Sequence, residues 1–332
     1  MIISKTPFRM SFFGGGTDMP GFFNLHKGAV ISTTFDKYCY VNVRHLPRFF
    51  DFSSQIKYAQ TECVNELSEI RNPAVRESMR LLNMHELSIT YDADLPARTG
   101  LGTSSSFVVG MLNAFHSLKG HYRSKRQLAD EAIHVERDMC GEAGGWQDQI
   151  AVAFGGLNRI DFSSDGYEVR PIIIDKERKQ WLNMDLMLYY TGISRISAQV
   201  QEDTQKHLGD KEAYLKEMLD IVDEAEKILV DRSTDMNEFG ALLHRSWELK
   251  RSLSSKVSTG EIDEVYEQAL KAGALGGKLL GAGGGGFLLL YVQKERQPVV
   301  KQALNKLLHV PFRFEKNGAE IIYFEPEEYK CE

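Results

Sequence analysis

The stretch LPARTGLGTSSSFVVGMLNAF, residues 95–115, constrains the local structure of this chain more than any other. Gly100, Gly102, Thr103, Ser104, Ser105 and Ser106 crowd together there, with Leu101 between the glycines. An apolar pattern follows at once through Phe107, Val108, Met111, Leu112, Phe115 and Leu118. Its spacings of three and four predict an amphipathic helix, so the small polar residues stand at a helix N-terminus. Backbone N–H groups there lack helical partners and the positive end of the dipole points outward, which favours a phosphate. Glycine lets the main chain approach the phosphate oxygens, and the hydroxyls of Thr103, Ser104 and Ser105 can hydrogen-bond them or ligate Mg²⁺. A plainer reading, a capped helix beside a glycine turn, needs a single hydroxyl. The residues alone leave both readings open. The spacing is neither that of a Walker A loop nor that of a dinucleotide fingerprint.

Two further glycine clusters flank this one. In GGKLLGAGGGGFLLL, residues 276–290, Gly281, Gly283, Gly284, Gly285 and Gly286 precede an apolar strand. A dinucleotide loop follows a strand and opens a helix, so the order is wrong for NAD. Such a run is either a flexible hairpin or a backbone packed against the first loop or against a nucleotide's phosphates. In TPFRMSFFGGGTDMPGFF, residues 6–23, Arg9 falls in an otherwise apolar strand pattern, and Gly14, Gly15 and Gly16 lead to Thr17 and Asp18. Taken alone, that is either a hairpin with an acid in its turn or part of a site, and the stretch by itself leaves both open.

The rest of the chain supplies a frame for these loops. Up to about residue 95, PFRMSFF, AVISTTF, KYCYVNVRHL and LSITYDA are rich in β-branched and aromatic residues, which predicts strands. Ser124 and Gln127 form a capping box for a second helix, faced by Leu128, Ala132, Val135 and Met139 and ended by Gly141. GGWQDQIAVAFGG reads as a short helix between glycine pairs. The charged run DKERKQ at 175–180 marks the expected boundary between two halves. Beyond it come a strand in MDLMLYYTG, helices across 211–231, 235–254 and 261–274, a strand in GGFLLLYVQ, a helix near 295–309, and strands in PFRFE and AEIIYFEP. Strands grouped with helices on one face predict an α+β architecture for both halves.

At 332 residues, with 42% hydrophobic and 26% charged, the chain has the length of two ordinary domains. A net charge of -6 offers no basic excess to track nucleic acid or an anionic membrane. Cys39, Cys63, Cys140 and Cys331 form no CxxC pair and no metal-ligand spacing, which fits reduced thiols. The opening MIISKTPFRMSFFGGG lacks a signal-peptide core, and no run approaches ~18 apolar residues. The expectation is a soluble cytoplasmic protein with neither nucleic acid nor membrane as partner.

In their order and separation, the glycine clusters resemble the motifs of the GHMP kinases, a family of small-molecule kinases. Pro7, Arg9 and Gly14 to Asp18 are similar to the first motif; Pro96, Gly100, Leu101, Gly102, Thr103 and Ser104 to the second; Lys278, Gly281, Gly283 and the glycines after them to the third. The resemblance implies an α+β fold of two domains. A ribosomal-protein-S5-like β/α domain would span 1–175 and a ferredoxin-like α/β domain 176–332. It implies ATP and Mg²⁺ as cofactors. Pro96, Gly100, Leu101, Gly102, Thr103, Ser104, Ser105, Ser106, Gly283 and Gly284 would surround the nucleotide, and Ser104 and Glu136 would hold the metal. Asp148 would accept the proton of the acceptor hydroxyl, and Arg9 would keep Asp148 ionised and stabilise the transferring phosphoryl group. Gly15, Gly16, Thr17 and Asp18 would meet the sugar.

Read from residues alone, Glu136 is a solvated helix position beside Arg137 or Lys125, and Asp148 an acid suited to a helix dipole. His134 and Glu136 do not make a deaminase site, because the P-C-x-x-C partner is missing. GGTDMPGFF resembles the sugar-kinase branch, with Gly15 and Gly16 where galactokinases carry Glu and His. TPFRMSFFGGGTDMP together with GAVISTTFDKYCYV resembles members of the branch that act on a small-molecule sugar phosphate, which implies a heptose 7-phosphate taking a phosphoryl group on its C1 hydroxyl, in a monomer or homodimer. Another sugar-1-kinase and a non-catalytic sugar and nucleotide sensor are the alternatives. Lys27, Arg44, Arg48 and Lys57 are basic groups available to the 7-phosphate, and their spacing selects none of them.

Overall fold

The structure, a computed structural model, describes residues 1–97, 99–193, 212–254 and 256–326. The N-terminal apolar pattern forms β1 (Ile2–Phe13) and, after the short helix α1 (Pro20–His26), pairs antiparallel with β2 (Gly28–His45). The patterns at 29–35 and 37–46 read as two strands in sequence, but they are one strand of 18 residues. Register explains the difference: Pro7 pairs with Tyr38 and Phe8 with Phe35, so Asp36 and Lys37 form a bulge rather than a turn.

The chain continues through β3 (Ser54–Lys57), β4 (Thr61–Val64), α2 (Pro73–Leu81) and β5 (Leu87–Ala93). Helices α1 and α2 interrupt a region that reads as mostly strand. Each starts on a proline, and the Asn72 side chain caps α2 by accepting from Val75 N at 3.2 Å. The helix predicted from Ser104 onward is α3 (Thr103–Leu118), which packs across β1 at close range. Gly110 allows that approach, since a Cβ there would lie 2.8 Å from Thr6 Oγ1. The predicted capping box opens α4 (Lys125–Ile133), which runs into a π-helical turn at His134–Met139. Next come α5 (Gln147–Phe154), β6 (Asn158–Ser163) and β7 (Gly166–Pro171).

The charged run at 175–180 is the start of α6 (Lys176–Asp185), capped where Asp175 Oδ1 accepts from Arg178 N at 2.7 Å. It leads to β8 (Leu186–Tyr190). The three helices that follow are α7 (Glu212–Val230), α8 (Asn237–Leu253) and α9 (Gly260–Lys271). Then come β9 (Gly276–Leu279), β10 (Phe287–Tyr291), α10 (Gln297–Ala303) and β11 (Leu308–His309). Strands β8 to β11 form a second sheet in the order β11-β8-β10-β9. The chain then crosses back, as β12 (Phe314–Glu315) pairs with β2 and β13 (Glu320–Phe324) pairs with β1. By hydrogen bonding these strands join the first sheet, although they lie in sequence far beyond the expected boundary.

The first sheet has the path β13-β1-β2-β5-β3-β4, with β6 also on β2 and β7 on β6. All its pairs are antiparallel except β3 with β5. Phe12 and Phe13 of β1 share a buried core with Ile221, Val222 and Ala225 of α7 and with Leu289 of β10, so apolar burial joins both sheets. No helix among the described residues is long and apolar enough to cross a membrane.

Candidate active site

Arg9 lies in the middle of β1 and is 3% exposed, where an unpaired guanidinium would be strongly destabilising. Its Nε donates to Asp148 Oδ1 at 2.8 Å and its Nη2 to Oδ2 at 2.7 Å, a bidentate pair. The remaining nitrogen, Nη1, donates to the Gly100 carbonyl at 2.6 Å, and Arg9 N donates to the Leu101 carbonyl at 3.0 Å. One side chain therefore joins β1, the loop before α3 and the first turn of α5. Asp148 keeps 24% of its side chain accessible, so this carboxylate is held by Arg9 yet still open on one side.

Asp18 fixes the neighbouring wall. Its Oδ1 accepts from Gly16 N at 2.9 Å, its Oδ2 from Gln147 N at 3.2 Å, and its carbonyl from Trp146 N at 3.1 Å. Burial pushes its carboxyl above the usual range, the Gly16 and Gln147 amides oppose that rise, and the nearby Asp148 charge adds to it. Gly15 and Gly16 are partly exposed beside this carboxylate. Thr17 is different: it is fully buried, and its hydroxyl donates to the carbonyls of Gly14 and Ala29 and accepts from Ala29 N. It shapes the turn that presents Asp18, and its burial with the hydroxyl proton committed to backbone carbonyls closes it to a sugar.

At the mouth of α3, Gly102 is the N-cap residue with φ +72°, and no side-chain hydrogen bond caps the helix. The serines have other partners. Ser106 Oγ donates to the Pro7 carbonyl at 2.9 Å, tying the helix to β1. Ser104 Oγ and Ser105 Oγ donate to Glu136 Oε1 and Oε2, each at 2.8 Å. Gln149 Nε2 also donates to Glu136 Oε2. The plain reading of Glu136 as a solvated helix position is thus overturned, for it is 1% exposed. It lies in the π-helical turn, whose wider spacing breaks the 3.6-residue phase from which its exposure is read. Gln149 escaped the sequence reading, though its place next to Asp148 on a short helix was a usable signal.

Mg²⁺ takes few protein oxygens and completes its shell with water and phosphate. The exposed Ser104 hydroxyl beside the Glu136 carboxylate, at the mouth of α3, fits that demand. Among the described residues no group of three or more His, Cys, Asp or Glu side chains could hold a metal.

The second glycine turn packs on the first. A Cβ on Gly281 would lie 2.3 Å from Gly100 Cα, and one on Gly286 would lie 2.3 Å from the Thr99 carbonyl oxygen. Of the two readings of this run, close backbone packing is therefore the one realised. Gly284 N donates to the Val257 carbonyl at 2.9 Å, and a Cβ on Gly283 would lie 2.6 Å from that same oxygen, so both glycines lean on Val257. Pro96 is exposed, and its carbonyl accepts from Thr99 Oγ1 at 2.8 Å, closing the turn that leads into Gly100. Leu101 is fully buried beneath the loop.

The basic residues separate clearly. Arg44 lies ten places along β2 from Thr34, the partner of Arg9, or about 30 Å at ~3.3 Å per residue. Arg48 pairs with Glu86, its Nε donating to Oε1 at 2.9 Å, and Lys57 ends β3, so both share that far end. Lys27 is exposed and directly precedes Gly28, at which a Cβ would lie 2.0 Å from the Thr17 carbonyl oxygen. It alone of these four adjoins the Gly14–Asp18 turn.

Residues 65–156 match the GHMP kinases N terminal domain and residues 221–310 the GHMP kinases C terminal domain. A D-glycero-alpha-D-manno-heptose 7-phosphate kinase of Campylobacter jejuni is 31% identical over 325 residues, covering 92% of this chain and 93% of its own length. The L-fucokinase/L-fucose-1-P guanylyltransferase of Bacteroides fragilis is 27% identical over 232 residues, which is 65% of this chain and 23% of that longer protein. Among solved structures, a D-glycero-D-manno-heptose 1-phosphate kinase from Bacteroides thetaiotaomicron superposes with a TM-score of 0.78 at 24% identity, over 98% of this chain and 100% of that one. That likeness extends the two-domain fold over nearly the whole molecule. The chain belongs to the GHMP kinase family and is a phosphotransferase whose acceptor is a sugar hydroxyl.

Proposed function

We propose that the protein transfers the γ-phosphoryl group of ATP to the C1 hydroxyl of a heptose 7-phosphate, giving the 1,7-bisphosphate. The observation that carries this reading is the position of Arg9, bonded at once to the Asp148 carboxylate and to the Gly100 carbonyl. An acid able to take a proton is thereby set beside the loop suited to phosphate.

In this reading the first-turn amides of α3, with Gly100, Gly102 and Thr103 before and among them, hold the polyphosphate. Gly281 and Gly286 back that loop from behind. Ser104 and Glu136 would hold Mg²⁺, which supplies charge neutralisation for the transferring group. Asp148 accepts the proton of the attacking hydroxyl; a new O–P bond forms at the sugar, and the bond from the β–γ bridging oxygen to the γ-phosphorus breaks to release ADP. Arg9 keeps Asp148 oriented and offsets negative charge near the reacting phosphorus. Asp18, with the open backbone at Gly15 and Gly16, meets the sugar hydroxyls. Missing side chains at those glycines leave room for a longer sugar, and of Lys27, Arg44, Arg48 and Lys57 it is Lys27 that adjoins that side. The 7-phosphate kinase named among the relatives supports this acceptor.

A coupled ADP-release assay with a panel of sugars tests the reading. Turnover with heptose 7-phosphate, and none with free heptose, galactose, fucose or a heptose 1-phosphate, is the expected result. Turnover with an unphosphorylated sugar or with the 1-phosphate alone would reject it. A protein that binds ATP yet turns over no member of the panel would also reject it.

A further inference from the structure

Lys250, near the C-terminal end of α8, is absent from the chemistry described so far. It is 8% exposed, and its ammonium donates to the Leu279 carbonyl at 3.1 Å and to the Gly281 carbonyl. These two oxygens bracket Leu280, whose own carbonyl presses against Gly100: a Cβ there would lie 2.4 Å from it. Lys250 therefore grips the entry of the second glycine turn at the point where that turn meets the first.

Its surroundings make the grip unusual. Among the described residues no carboxylate pairs with Lys250, and the charges felt at this position come from other cations. Lys278 is buried with its ammonium on the Phe12 carbonyl at 2.8 Å, and Arg9 has Asp148 as its carboxylate partner. Desolvation chiefly, with Arg9 adding, pushes the Lys250 amine down to about 7. A buried lysine with no counter-ion is a destabilising feature that an apolar residue would avoid. Its two hydrogen bonds to the glycine turn are what the position gains in return, and polyphosphate at the α3 mouth would bring the missing negative charge.

We propose that Lys250 is a positioning residue for the nucleotide: by holding the Leu279 and Gly281 carbonyls it keeps the second glycine turn seated on the Gly100–Gly102 loop, at the spacing the phosphate site requires. This inference rests on the kinase reading above.

The test is calorimetric titration of the full-length protein with MgATP, wild type first and then Lys250→Met. If the wild type binds no MgATP, the kinase reading fails, and this inference with it. If it binds, the variant is expected to bind at least about tenfold more weakly, the equivalent of ~1.4 kcal/mol. The KM for ATP should rise in step while the KM for the sugar phosphate stays within about threefold. Amide hydrogen exchange supplies a readout that a merely structural role would not give: protection should fall in residues 99–102 and 280–286 and stay unchanged in the β1–β2 pair. Binding within about twofold of wild type overturns the proposal. So does weaker binding accompanied by lost protection throughout the first sheet. Should Lys250→Met fail to fold, Lys250→Gln is read by the same criteria.

Discussion

Gly281 and Gly120 share the same backbone conformation, φ +72°, in opposite surroundings. A Cβ on Gly281 would lie 2.3 Å from Gly100 Cα, 3.1 Å from its carbonyl carbon and 3.0 Å from its oxygen, whereas one on Gly120 would meet nothing within 4 Å. Alanine at Gly120 should cost only the left-handed conformation, ~1–2 kcal/mol. Alanine at Gly281 adds an overlap that carbon–carbon contact cannot sustain, so the two loops must part by about 1 Å, with a further ~1–3 kcal/mol of overpacking. That parting acts on the Gly100 carbonyl held by Arg9 and on the Gly281 carbonyl held by Lys250. A misplacement of about 1 Å at a phosphoryl-transfer site can lower turnover by ~10²-fold. Urea unfolding and steady-state kinetics on Gly281→Ala and Gly120→Ala separate the two effects. We expect Gly120→Ala to keep full kcat/KM with a modest loss of stability, and Gly281→Ala to lose more of both. Equal stability losses, with kcat/KM for Gly281→Ala within about threefold of wild type, would show that the junction of the two turns does not matter.

Asp148→Asn should lower kcat by at least ~10²-fold while MgATP affinity changes by less than about threefold; kinetics within a few-fold of wild type would remove Asp148 as the proton acceptor. Glu136→Gln should shift the magnesium requirement to higher concentration, because an amide offers one acceptor oxygen in place of two. A superimposable magnesium titration would take Glu136 out of the metal shell. Lys250 gives stability a pH dependence whose sign is set by burial. The unfolded lysine takes its proton near 10.5 and the folded one near 7, so in that window the unfolded chain binds more protons and stability rises with pH. Between pH 7.5 and 9.5 the wild type should gain about 2–3 kcal/mol relative to Lys250→Met, at ~1.4 kcal/mol per pH unit. Parallel stability profiles would mean that Lys250 is not held neutral by its surroundings.

Local pattern was enough for several parts of this protein. The apolar spacing after Ser106 made α3 legible, the Ser124–Gln127 capping box marked the start of α4, and the motifs at Arg9, Gly100 and Asp148 picked out residues that the fold gathers in one place. Each of these signals lies within one or two turns of backbone, where hydrogen bonding and side-chain period act directly on neighbouring residues. Other features depended on which elements meet. Strands β12 and β13 return to the first sheet because β1 and β2 have free backbone groups for them, a fact written nowhere in their own short patterns. The break between the strand patterns ending at Phe35 and starting at Lys37 is a bulge within one strand, since only the partner strand sets the register.

The site divides in the same way. The family resemblance singled out Arg9 and Asp148, but the pair exists only because β1 and α5, 139 positions apart, are packed together. Glu136 looked solvent-facing by helical phase, and the π turn together with Ser104, Ser105 and Gln149 brought it inside. Thr17, a sugar ligand by resemblance, is buried against Gly14 and Ala29. Periodicity records how a residue relates to its own element. Burial, and the partner that burial demands for every charge and hydroxyl, is decided only when elements distant in the chain are brought against one another.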